Sequence, residues 1–413
     1  FGEVGLRSLS ALVGAAIIPV AYGAGNALVS RRAGVIAAGL VSVHPFLVWY
    51  AQEARAYSLF ALLTTCTVLF FGRALGTTRR WDHLGWALSA ALALATHYFA
   101  VFLVLPEALW LLARSGSRRL AALAISLPTA VGLFQVPLLL EQRGAGEAVT
   151  GASLGARVAG VPKGLAVGYS FPAEIVGSVA AAALIVTGLV LLVTRAPPEL
   201  RRRALVPGGL AVAAIGAPIG LALAGADYVI VRNAILAIVP ATICIATGYA
   251  ATRLGIAFAA ALCGILLAIT LWVSLDQRYG RTDWRGAGER LGSPGEARAI
   301  VVTPFLSRQL WAPYLPGLEE PSGDVVRVQE IAAVGLATEE GFSIAGPVKP
   351  PALDSGQPAP PAGFRIVAVE RTETYALVLY RSSRPRSVSL AELDQVRLAD
   401  QQPGFLLQPA LTR

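Results

Sequence analysis

The sequence predicts a mostly α, polytopic transmembrane helical bundle followed by a small extracytoplasmic α/β domain. Three observations predict it. Hydrophobic residues make up 55% of the 413 positions and charged residues only 14%, the balance of a chain that dissolves largely in lipid. Apolar runs of crossing length recur from residue 9 to about residue 274. From Asp276 onward charge and proline rise and no further run appears. The domains expected are therefore 1–274, a membrane unit of about ten spans, and 275–413, an extracytoplasmic unit with a Pro-rich loop at 347–363. Net charge is +9, but the arginines sit in short loops between apolar runs. That pattern belongs to a protein oriented in a bilayer and argues against nucleic acid as a partner.

The expected spans are 9–29, 33–50, 56–75, 84–98, 99–113, 120–140, 174–194, 204–224, 228–250 and 254–274, with a polar loop at 141–173. Placing Arg31 and Arg32 inside and alternating puts 13 arginines on the inner side and 5 Arg or Lys on the outer side, so both chain ends are expected outside. The same bias requires 84–113 to be two spans that meet at His97 and Tyr98. Cys66, Cys244 and Cys263 lie within apolar runs and read as small packed residues, neither disulfide nor metal ligands. The sequence holds no Met, so Phe1 is not a translated start and the chain is expected to be part of a longer product. In the second unit, helices are expected at 283–291, 305–314 and 389–397, and strands at 299–303, 364–370 and 375–381. No internal repeat is visible.

The spans are organised around the stretch from His44 to Tyr57. One helix running from residue 33 to 75 would be about 60 Å long at 1.5 Å per residue, twice the ~30 Å of the hydrocarbon core. The chain must therefore reverse near Ala51–Arg55, which sets Gln52, Glu53 and Arg55 at one surface. Glu53 and Arg55 would point about 200° apart on a continuous helix, so only a turn lets them serve one pocket. His97 and Tyr98, and then Asp227, Tyr228 and Arg232, fall at the same surface from distant parts of the chain. Arg and Tyr at helix ends suit phosphate oxygens. Glu53 and His97 could share a divalent metal or a proton. Taken singly, each has a plainer role: a solvated turn, an interfacial His97, a snorkelling Arg232. Glu107 inside a span is either a functional carboxylate or a structural hydrogen-bond partner. Asp283-Trp284-Arg285 reads as a helix start, capped by Thr282 or Asp283.

The run Tyr50-Ala51-Gln52-Glu53-Ala54-Arg55-Ala56-Tyr57, preceded by His44-Pro45, resembles the signature of family 39-like glycosyltransferases of the GT-C class. These include protein mannosyltransferase-like and aminoarabinose transferase-like enzymes. Leu6 to Ala11, Thr96-His97-Tyr98-Phe99, Arg232 ahead of Pro240, and Asp283-Trp284-Arg285 are similar to further family segments, although Asn233 stands where the family has Tyr. The resemblance implies a multi-pass enzyme of the plasma (inner) membrane of a bacterium. It would move a hexose or pentose from a polyprenyl-phosphate donor to a glycan, lipid or protein acceptor at the cell envelope. Gln52, Glu53, Arg55, Tyr57, His97, Tyr98 and Arg232 would hold the donor phosphate or sugar, with a divalent metal at Glu53 and His97. In the family the catalytic carboxylate lies in the first outer loop, so here it is expected before Phe1. A lipid-linked sugar transporter without transfer chemistry, and a scaffold for an outer partner, are the alternatives; neither repeats nor an uncharged outer face support them.

Overall fold

The computed structural model describes residues 3–141, 153–280, 282–303, 311–337, 357–399 and 402–410. Contacts divide the chain into two compact units, Glu3–Trp272 and Val273–Arg413.

The first unit is all helix: α1 (Glu3–Leu28), α2 (Arg31–Ser42), α3 (Pro45–Ala51), α4 (Tyr57–Gly76), α5 (Arg80–Thr96), α6 (Val101–Arg114), α7 (Arg118–Glu141), α8 (Leu154–Val167), α9 (Glu174–Thr194), α10 (Pro198–Leu223), α11 (Ile238–Ala250) and α12 (Arg253–Leu275). Short 3-10 turns, Tyr98–Ala100 and Val231–Ala237, lead into α6 and α11. Among the described residues seven helices are long and apolar enough to cross a membrane, and α2 with α3, bent by 58°, makes an eighth. Ten were expected. The difference is α5 and α6, of 17 and 14 residues, which fall short of the ~20 that a crossing needs. They nevertheless form two antiparallel helices. His83 near the start of α5 bonds Ser115 at the end of α6 (3.0 Å), and the chain reverses at His97 between them.

The break between α2 and α3 follows from Pro45, which has no amide hydrogen to continue the first helix. Thr270 of α12 donates to the carbonyl of Val43 at the break (2.9 Å). α3 then ends after seven residues, and the chain turns through Gln52–Ala56 into α4, where the length argument requires it. Ser58 fastens the turn by donating to the Tyr50 carbonyl (2.8 Å). The segment expected as a polar loop at 141–173 is instead half helix. Residues 142–152 lie outside the described part, but Ser153 caps α8, its side chain accepting from the Ala156 amide.

The second unit contains α13 (Trp284–Leu291), β1 (Arg298–Thr303), β2 (Val325–Leu336), β3 (Arg365–Arg371), β4 (Tyr375–Ser389), α14 (Leu390–Asp394) and β5 (Gly404–Gln408). The strands form one sheet in the order β3-β4-β2-β1-β5, with β1 and β2 parallel and the other pairs antiparallel. Asp283 caps α13 by accepting from the Gly286 amide (2.8 Å), the plainer of its two roles. The expected helix at 305–314 lies mostly outside the described residues, as does 347–356 of the Pro-rich stretch. β2 and β5 were not expected. β2 is the central strand, buried on both faces from Glu330 to Leu336, and its Ala332, Ala333 and Gly335 carry little strand signal. Glu330 on this strand is buried and held by Arg298 and by Arg381 (2.8 Å), so the charge is paired within the sheet.

Candidate functional site

The turn after α3 brings Glu53 and Arg55 within 3.8 Å of each other, Glu53 mostly buried and Arg55 more than half exposed. Tyr57, the first residue of α4, is the point on which three distant segments meet. The guanidinium carbon of Arg232 lies 5.9 Å from the centre of its ring. The His97 ring lies 6.0 Å away, and the Tyr50 ring 4.8 Å. Arg232 is thereby within electrostatic reach of Tyr50, Tyr57 and His97 together. Tyr98 stands beside His97 (5.1 Å) and couples to Tyr57 and to Tyr228. Gln52 closes α3 through its backbone, but its side chain is exposed and no described contact ties it to this ring of residues.

His97 is positioned by stacking on Phe60 (4.9 Å) and by accepting the Phe99 amide hydrogen at Nδ1 (3.3 Å). With Nδ1 engaged as acceptor, the neutral ring carries its proton on Nε2 and offers a donor. That role does not suit a metal ligand. Among the described residues no group of three or more His, Cys, Asp or Glu side chains could hold a metal ion. The metal expected at Glu53 and His97 is thus poorly served by the residues present, and no step is routed through one.

Residues missed in the sequence complete the wall. Tyr169, after α8, meets the Tyr50 hydroxyl at 2.5 Å. Gly168 there has a φ of +83° and lies against Pro45, where a side chain would be both strained and crowded. Lys163 donates to the Tyr169 carbonyl (2.7 Å) and pairs with buried Glu174 (3.0 Å). Arg157, also on α8, is buried and grips both carboxylate oxygens of Asp227; one nitrogen donates to Oδ1 at 2.9 Å and to the Val229 carbonyl at 2.7 Å. This fork holds the Asp227 carboxyl below the usual carboxylate range and raises Arg157. The available sequence signal was the apolar spacing of Leu154, Val158, Val161 and Leu165 after Ser153, which puts them on one helix face. Nothing local could have paired Tyr169 with Tyr50, 119 residues earlier.

Glu107 is elsewhere. It is fully buried among α4, α5 and α6, its two oxygens accepting from the Trp86 indole (2.8 Å) and the Thr67 hydroxyl (3.1 Å). It is the structural member of the pair of readings set out for it.

Aromatic hydroxyls and two arginines thus gather in one part of the helical bundle, a combination whose chemistry suits an anion. Residues 1–140 match the family described as dolichyl-phosphate-mannose-protein mannosyltransferase. The match supports the GT-C-like glycosyltransferase resemblance, and the bundle with its smaller α/β unit agrees with that architecture. The matched segment carries Gln52, Glu53, Arg55, Tyr57, His97 and Tyr98; Tyr169 and Arg232 lie beyond it and reach the same place through the fold, Tyr169 at Tyr50 and Arg232 over Tyr57. Among curated proteins none matches the chain.

Proposed function

We propose that the protein is a membrane glycosyltransferase that moves a sugar from a polyprenyl-phosphate donor to an acceptor outside the cytoplasm. The observation that carries this reading is the meeting of Arg232 and His97 on Tyr57, with Arg55 at the rim. The lipid phosphate sits against Arg232, Arg55 and the Tyr57 hydroxyl, where charge-assisted donors are strong because water is scarce. The acceptor oxygen attacks the anomeric carbon, its proton passes to a base, and the bond from that carbon to the phosphate oxygen breaks. The polyprenyl phosphate leaves with the bonding electrons. Cationic donors fixed at the phosphate lower the barrier because the negative charge there grows as this bond breaks. The base is proposed to be the carboxylate that the family carries in its first outer loop. His97, donating from Nε2, and Glu53 hold the sugar hydroxyls, and the α/β unit helps to hold the acceptor. The arginine bias supports placing this end of the bundle outside the plasma membrane.

The test is donor turnover by the full-length protein with labelled polyprenyl-phosphate sugars. Arg232→Ala and Arg55→Ala should each lower transfer by about a hundredfold to a thousandfold, the range seen when one charge-stabilising donor is removed, with the fold intact by circular dichroism. Full activity in Arg232→Ala would defeat the assignment. A transporter would bind the same donor and release no free polyprenyl phosphate.

A further inference from the structure

We infer that Arg157 keeps Arg232 open to an anionic ligand by taking Asp227 out of its reach. The inference rests on the donor-phosphate reading. Asp227 is the only acidic residue between Glu199 and Asp276, and it precedes Arg232 by five positions. It is the acidic residue closest to Arg232 along the chain, and a guanidinium paired with a carboxylate has fewer donors and less net charge to offer a phosphate. Glu53, the other carboxylate at this end, has Arg55 as its own partner (3.8 Å).

The geometry is that of sequestration. Arg157 is 3% exposed and spends its fork on Asp227 and on the Val229 carbonyl. Asp227 Oδ1 also accepts from the Val229 amide (3.1 Å), which fixes the carboxylate beside its own backbone. Arg232, by contrast, rests over the Tyr57 ring, and its Nε has no hydrogen-bond partner among the described residues. α8 is kept in place by two contacts near its C-terminal end. Gly164 lies so close to Val231 that an added Cβ would come within 2.5 Å of a methyl carbon, and Tyr169 reaches Tyr50. The same helix therefore touches the segment that carries Arg232 and the one that leads to Tyr57. A bidentate fork suits Arg157 better than lysine would, because it occupies both carboxylate oxygens at once.

Charge sequestration and simple tethering make opposite predictions for a double variant. The probe is a short-chain prenyl phosphate, with affinity measured for the full-length protein in detergent. Arg157→Gln releases Asp227 and should weaken binding by at least about tenfold, the size of one new charge pairing at a partly exposed site. Adding Asp227→Asn removes the competing charge and should restore affinity to within about threefold of the wild type, although the tether is still broken. Asp227→Asn alone should bind as the wild type does. If the double variant binds no better than Arg157→Gln, or if Arg157→Gln binds normally, the inference is wrong. Arg232→Ala separates the two levels. Loss of binding there with normal binding in Arg157→Gln removes only this inference, whereas normal binding in Arg232→Ala removes the phosphate site as well. Should Arg157→Gln fail to fold, Arg157→Lys takes its place, since one ammonium cannot hold both oxygens, and the same rescue by Asp227→Asn is expected.

Discussion

A carboxylate inside a helical bundle invites a functional reading, and Glu107 shows how neighbours decide it. Both of its oxygens are filled by side chains of other helices, Trp86 from α5 and Thr67 from α4. The group joins three helices and is fully buried among them, so no part of it is open to a substrate. Glu107→Ala should therefore lower stability by about 1–3 kcal/mol, the cost of leaving buried partners unsatisfied. Glu107→Gln, which still accepts one bond, should lose less. The unfolding midpoint in detergent measures both, and donor affinity should stay unchanged. Arg232 is the opposite case: its ring contact with Tyr57 leaves donor capacity for a ligand. Sequence could name both residues, but their different employment depends on contacts across tens of residues.

Among the elements, what was legible followed from length and from special residues. The reversal near Ala51–Arg55 came from the mismatch between the apolar run and the bilayer, and Pro45 marks the start of α3. The antiparallel pair of α5 and α6 came from the arginine bias. α8 was hidden because Gly155, Gly160, Pro162 and Gly164 dilute its pattern, yet one of them, Gly164, lets the helix lie against Val231. β2 was hidden because its longer part, Glu330 to Leu336, is buried on both faces and shows no alternation. Small residues also set how helices meet. A Cβ on Gly248 of α11 would fall 1.8 Å from the Gly188 carbonyl oxygen of α9, and backbone cannot step aside. Gly248→Ala should cost roughly 1–3 kcal/mol or more as the two helices part. Gly264→Ala in α12, which meets nothing within 4 Å, should be neutral or slightly stabilising. Thermal unfolding of the two variants side by side checks the contrast.

For the whole molecule, the fold gathers what the sequence scatters. Residues near 55, 97, 169 and 232 come from four segments, and only the family match over the first 140 residues links some of them beforehand. The bundle carries every residue of the proposed anion site, and the sheet with its paired Glu330 is a separately packed unit. The central claim is that these segments wall one site for a lipid phosphate. A photoreactive prenyl phosphate, incubated with the full-length protein and followed by peptide mapping, tests that claim most directly. Labelling should appear on peptides containing Tyr57, His97 and Arg232 together, and excess unlabelled polyprenyl phosphate should abolish all three. Labelling confined to one of these peptides, or found elsewhere and insensitive to competition, would contradict it.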